Sequence, residues 1–239
     1  STSMAGLFER ALDFFDELVA RARSRHELPL AAAAALVEAK RNREDWAEEL
    51  GLYRTTNLQA GQRHNVFQTG WCGGILAESA LLAGGERESV WRAKTSLDTV
   101  CREAPRSSGW LAGKAHADGN WTADFVHDAA RPWTHRRTLL RRQADALTYL
   151  LAAAERHEAA GLGAAPESWL RAARGLADAF STLWEERGAG GHFIDIERTG
   201  EDAVVVGGSA SAGLAPAGLV AAWRRFGEAR HLVAAAGLG

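Results

Sequence analysis

The chain has 239 residues, a formal charge of −2 and an apolar fraction of 46%, enough for one sizeable buried core. With no cluster of Lys and Arg facing a run of aromatics, it lacks the electrostatic footprint of a nucleic-acid binder. No apolar run is long enough to span a bilayer and no signal-peptide pattern opens the chain, so no membrane partner and a cytoplasmic location are expected.

In chain order, Phe8, Leu12, Phe15, Val19 and Ala22 make an amphipathic stripe over 6–23, and a second helix is expected from Pro29 to the Trp46 region, ended by Gly51. Residues 53–68 read as a loop. Residues 71–82 form a helix closed by Gly84-Gly85, and 86–102 its return partner, with Val90, Ala93, Leu97 and Cys101 on one side. After a polar, aromatic stretch from Ser107 to Asp145, too irregular in pattern for a buried element, Leu140, Ala144, Leu147, Leu151 and Ala154 form another stripe ending at Gly161. Its partner starts near Pro166, carries Trp169, Ala173, Leu176, Phe180 and Leu183, and stops at Gly188. Residues 190–208 switch to β-branched runs around Thr199-Gly200, a short two-stranded excursion. Helices return at 214–226 and from Ala229. The fold class expected is all-α: an (α/α) toroid of antiparallel helical hairpins in a single domain over 1–239, with one small β-hairpin excursion.

The Ser107–Asp145 stretch concentrates the chemistry. Asp118, Asp124 and Asp128 surround Trp121, and a carboxylate against an indole can hold a proton while the indole stacks on a sugar. The alternative for Asp118-Gly119 is a turn, and for Asp124 a helix cap. Thr138, Arg142, Asp145 and Tyr149 recur three or four apart. They form either a solvent-exposed ion pair or a second helix face turned to a cavity. His116, Asp118, His127 and Asp128 match no established ligand spacing, so no metal is expected. Ser211 sits nearly in a nucleophile-elbow context without the βαβ framework such a serine needs. Cys72 and Cys101 lack zinc spacing and read as small buried residues. The three lysines, Lys40, Lys94 and Lys114, carry no functional signal.

NVFQTGWCGGILAESALLAGG, SGWLAGKAHADGNW, RRTLLRRQADALTYLL and GGHFIDIERTGEDAVVVGGSASAGLAPAGLVAA, in this order, resemble the bacterial six-hairpin glycosidases, the (α/α)6-barrel glycoside hydrolases. The resemblance implies a barrel whose loops at one end bind a sugar and whose carboxylates cleave a glycosidic bond by acid/base catalysis without a cofactor. On the matching positions it implies Gln68, Trp71, Trp121, Arg142 and His192 around the sugar, Asp124 and Asp145 as the catalytic pair, and Asp118 in reserve. A complete barrel of this type has about twelve helices and about eight are legible here, so the final hairpins are expected to be missing. Homo-oligomerisation would cover the apolar faces that such an open toroid leaves bare.

The substrate expected is a glycoside, including one bearing a uronic acid that Arg142 or Arg54 pairs with. Two other readings stand beside it. A toroidal polysaccharide lyase would need Tyr53 or Tyr149 as its base, and a non-catalytic helical-repeat module would use its tryptophans as core or interface anchors.

Overall fold

Helices form where the apolar spacing calls for them in the structure, a computed structural model that describes residues 30–55, 67–70, 74–123, 136–207 and 213–239. The stripe over 6–23 lies outside the described residues. The chain divides into two units, residues 1–40 and 41–239. In the first, α1 (Leu30–Lys40) has no buried residue and exposes Leu30, Leu36 and Val37. Its helicity rests on alanine propensity, not on an apolar stripe.

The second unit opens with one π-helical turn, Arg41–Asp45, then β1 (Trp46–Ala47) paired with β2 (Leu52–Tyr53) across a turn in which Gly51 has φ +60. There follow β3 (Phe67–Gln68), α2 (Ile75–Gly84), α3 (Arg87–Glu103), β4 (Lys114–Ala115), β5 (Trp121–Thr122) and β6 (Arg137–Leu139). The rest comprises α4 (Leu140–Ala159), α5 (Glu167–Arg187), β7 (Phe193–Asp195), a 3-10 turn (Gly200–Ala203), β8 (Val204–Val206), α6 (Ala215–Phe226) and α7 (Ala229–Leu238).

The apolar stripes become the core. Leu140, Ala144, Leu147, Leu151 and Ala154 of α4 are buried, as are Trp169, Ala173, Leu176, Phe180 and Leu183 of α5. Helix α4 packs against α2, α5 and α6, so it is the central helix of the unit. Residues Gly188 and Gly227 adopt the left-handed conformation that stops α5 and α6.

Helices α2 and α3, α4 and α5, and α6 and α7 pack as consecutive pairs joined by short turns, which forces each pair antiparallel. An antiparallel pair starts and ends on the same side. The connections into α2, from α3 to α4 and from α5 to α6 therefore emerge at one end of the helices, and the short turns lie at the other. All strands from β3 to β8 belong to those long connections.

Two expectations are corrected here. The β content is not one hairpin: β1–β2, β3–β4–β5 and β6–β7–β8 are separate antiparallel sheets. The excursion over 190–208 does pair β7 with β8, but β6 adds a third strand, with Thr138 opposite Ile194. Strands this short leave too little alternation to be seen in sequence. The stretch after Ser107 is also not a solvated loop, since Trp110, Leu111, Ala112 and Ala115 are fully or almost fully buried. Gln143 holds it down: its Oε1 accepts from Leu111 N at 2.8 Å and its Nε2 donates to Leu111 O at 2.9 Å, as a neighbouring strand would. Helix α2 begins at Ile75, and the expected start at Trp71 lies outside the described residues. Among the described residues no helix is long and apolar enough to cross a membrane.

Trp110 meets Phe180 edge-on, with ring centroids 5.1 Å apart. Phe180→Ala empties that contact and is expected to cost about 3 to 5 kcal/mol in denaturant unfolding, whereas Val233→Ala, at a 60% exposed position, is expected to cost under about 0.5 kcal/mol.

Candidate functional site

The sheet β3–β4–β5 sorts its side chains by register. Gln68 pairs with Lys114 and Lys114 with Thr122, so these three share one face. Phe67, Ala115 and Trp121 form the next row and point to the other. The apolar row closes on itself, Phe67 meeting Trp121 with centroids 5.9 Å apart. On the polar row, His116 Nε2 lies 2.8 Å from Thr122 Oγ1. Lys114 is 1% exposed, a rare state for a lysine.

Helix α4 delivers a second set of groups to this row. Its first N–H, from Leu140, donates to the His192 carbonyl at 3.0 Å, which ties the start of α4 to the β6–β7–β8 sheet. Two residues in, the fully buried Arg142 donates from Nη1 to the Gly113 carbonyl at 2.9 Å and from Nη2 to Gln68 Oε1 at 3.3 Å. The same carbonyl also accepts from Thr69 N at 3.0 Å and Thr69 Oγ1 at 3.3 Å. The guanidinium is boxed in by glycine: a Cβ on Gly113 would stand 2.7 Å from Arg142 Nη1, and one on Gly70 would stand 2.3 Å from the Arg142 carbonyl oxygen. Asp145, the next turn of α4, is 2% exposed, with Oδ2 3.8 Å from Arg141 Nε.

Of the residues expected at the site, Gln68 and Arg142 are in direct contact, Trp121 lies on the same sheet, half-buried, and Asp145 shares a helix with Arg142. Arg142 and Asp145 are therefore not a solvent-exposed pair. His192 joins by its backbone, its half-buried ring edge-on to Phe193. Thr138 belongs to β6, not to the helix. Asp124, Trp71 and the Ser211 segment lie outside the described residues.

Asp118 takes the turn position offered as its alternative. It is exposed at the tip of the β4–β5 hairpin, where its Oδ1 accepts from Asn120 N at 3.0 Å and its Oδ2 from Asn120 Nδ2 at 2.8 Å, with Gly119 at φ +82. The Asn120 bonds hold this carboxyl below its ordinary range, so it does not keep a proton at neutral pH. It is a turn residue.

Sequence reasoning missed two buried charges. Lys114 had signals in its rarity and in the alternation Lys114-Ala115-His116, which puts two polar groups on one strand face. Glu78 had a plainer one, a lone carboxylate among the apolar residues of α2. It is fully buried, its Oε1 3.4 Å from both Arg41 Nη2 and Ser96 Oγ, while Oε2 has no hydrogen-bond partner among the described residues. The Arg41 guanidinium also lies 4.7 Å over the Tyr53 ring. Burial raises the Glu78 carboxyl to about 7, and Arg41 offsets only part of that.

Elsewhere, Asp178, Glu228 and His231 place one ligand atom each within 4.8 Å of the others. Arg230 stands 3.9 Å from Asp178 and Arg174 pairs with Glu228, so two guanidinium groups already neutralise the carboxylates and oppose a cation. A polar depression of about 300 Å³ lies between the Ser107-Ser108 turn and the β7–β8 connection, lined by Glu197, Arg198, Thr199 and Asp202.

The Glu78 carboxyl makes stability depend on pH with a definite sign. Its folded pKa of about 7 exceeds the ordinary 4.5, so the folded state keeps a proton that the unfolded chain releases. Stability is expected to fall as pH rises from 4.5 through 7, by up to about 3 kcal/mol from this group. Glu78→Gln is expected to flatten that part of the profile in denaturant unfolding at stepped pH. In comparisons with known proteins, no family model, no curated protein and no solved structure matches this chain.

Proposed function

We propose that the chain is a glycoside hydrolase of the six-hairpin type, its helical pairs belonging to an (α/α) toroid and its long connections forming the sugar site. The observation that carries this reading is the convergence at one end of the hairpins. Gln68 and Arg142, 74 positions apart, are hydrogen-bonded there, with Asp145 one turn along α4.

The chemistry assigned to this end needs two carboxylates across a sugar. Asp145, 2% exposed and one turn along α4 from Arg142, is proposed as one, and Asp124, two residues past β5 in sequence, as its partner. Asp118 is no longer in reserve, because an exposed, ionised turn carboxylate offers neither a proton nor a sheltered position. Trp121, half-buried, packs against Phe67 on the face of the sheet opposite Gln68, and Trp110 and Trp169 are spent on the core. The lyase reading is weakened by Tyr53, which is fully buried and donates its hydroxyl to Asn42 Oδ1 at 2.6 Å.

The experiment is a panel of aryl glycosides and free monosaccharides, neutral and uronic, tested for turnover and for binding. Turnover is expected, with kcat reduced at least about 100-fold in both Asp124→Asn and Asp145→Asn while the fold is kept. Binding without turnover would replace the hydrolase by a sugar-binding module; neither binding nor turnover would remove the glycoside altogether.

A further inference from the structure

We infer that Gln68 is the specificity-determining hydrogen-bond donor of the site, held by Arg142 so that its amide nitrogen meets an acceptor oxygen on the ligand. The argument begins with a donor-only partner. A guanidinium has no acceptor, so the limb of the Gln68 carboxamide that faces Arg142 Nη2 is the oxygen, and the other limb is the NH2 group. The orientation follows from chemistry, not from a choice between two similar atoms.

Arg142 cannot turn away. It is fully buried and shares the Gly113 carbonyl with Thr69, and Gly70 and Gly113 leave no room beside it. The Gln68 backbone is pinned as well, since a Cβ on Gly74, at φ +54, would stand 1.8 Å from the Gln68 carbonyl oxygen. Yet among the described residues none accepts from Nε2, although the residue is only 9% exposed. A fixed amide donor with no acceptor among the described residues is available to an oxygen on a ligand.

The ligand must therefore offer an oxygen acceptor at this point: a hydroxyl, ring or carboxylate oxygen of a sugar, and not the ammonium of an amino sugar. This assignment rests on the glycoside reading for its ligand class. The positioning role of Arg142 does not depend on that reading.

The test uses Gln68→Glu and Gln68→Leu in the full chain. Glu keeps an oxygen for Arg142 but replaces the donor by a second acceptor; Leu removes both. Thermal unfolding is expected to leave Gln68→Glu within about 2 °C of the parent and to lower Gln68→Leu by about 5 °C, because only the latter takes an acceptor away from the buried Arg142 guanidinium. An equal or larger loss in Gln68→Glu would mean that Nε2 serves the fold, and would overturn the inference.

The same proteins are then assayed with the aryl glycosides and monosaccharides named above. Gln68→Glu is expected to weaken binding, or kcat/KM where turnover occurs, at least about tenfold for sugars with an oxygen at the contact, while 2-amino-2-deoxy sugars lose less or gain. Turnover unchanged in Gln68→Glu would overturn the role of Gln68 and leave the hydrolase standing. Binding without turnover, lost in Gln68→Glu, would do the reverse. A parent protein that binds no sugar of the panel would overturn the ligand assignment whatever the variants do.

Discussion

The bond from Arg142 to the Gly113 carbonyl is the contact on which the candidate site depends. A guanidinium taken fully out of water is tolerated only where acceptors meet it, and here they come from two connections distant in sequence, the one before α2 and the one after α3. One side chain on α4 thereby sets the register between β3 and β4, where Gln68 lies opposite Lys114. Arginine suits this place better than lysine, because its fork reaches a carbonyl and an amide oxygen at once. The glycines at 70 and 113 are the steric counterpart of that choice.

Gln143, the next residue, does for the Ser107–Ala112 segment what Arg142 does for Gly113. Its carboxamide mimics a strand edge and satisfies both backbone groups of Leu111, which lets Trp110 enter the core against Phe180. A polar-looking connection thus becomes part of the packed interior. The start of α4 therefore organises both polar and apolar parts of the long connections, and its leucine stripe anchors that organisation to α2, α5 and α6.

Glu78 is a buried ionisable group of another kind. It meets Arg41 and Ser96 only at 3.4 Å, and its Oε2 has no hydrogen-bond partner among the described residues. Desolvation then outweighs attraction and the proton stays on near neutral pH. At Glu78 burial, more than the nearby Arg41, sets the protonation state.

The helices were legible because a period near 3.6 over many residues leaves a dense signal: the stripes of α4 and α5 are buried at every position read from spacing, and Gly188 stops α5 where expected. The same holds for the β7–β8 excursion, written in consecutive β-branched residues. Two-residue strands such as β3, β4 and β5 leave no period to read, and their pairing is fixed by groups outside them. The resemblance marked Gln68, Trp121, Arg142 and Asp145 as candidates and held Asp118 in reserve, while Lys114 and Glu78 were passed over. What separated them was burial and partner: Asp118 turned outward onto Asn120, Arg142 inward onto Gly113 and Gln68. The sequence by itself determined the helices and their pairing, because local spacing encodes a buried face; the tertiary structure alone decided which polar side chains lose their water, because that depends on acceptors brought from distant parts of the chain.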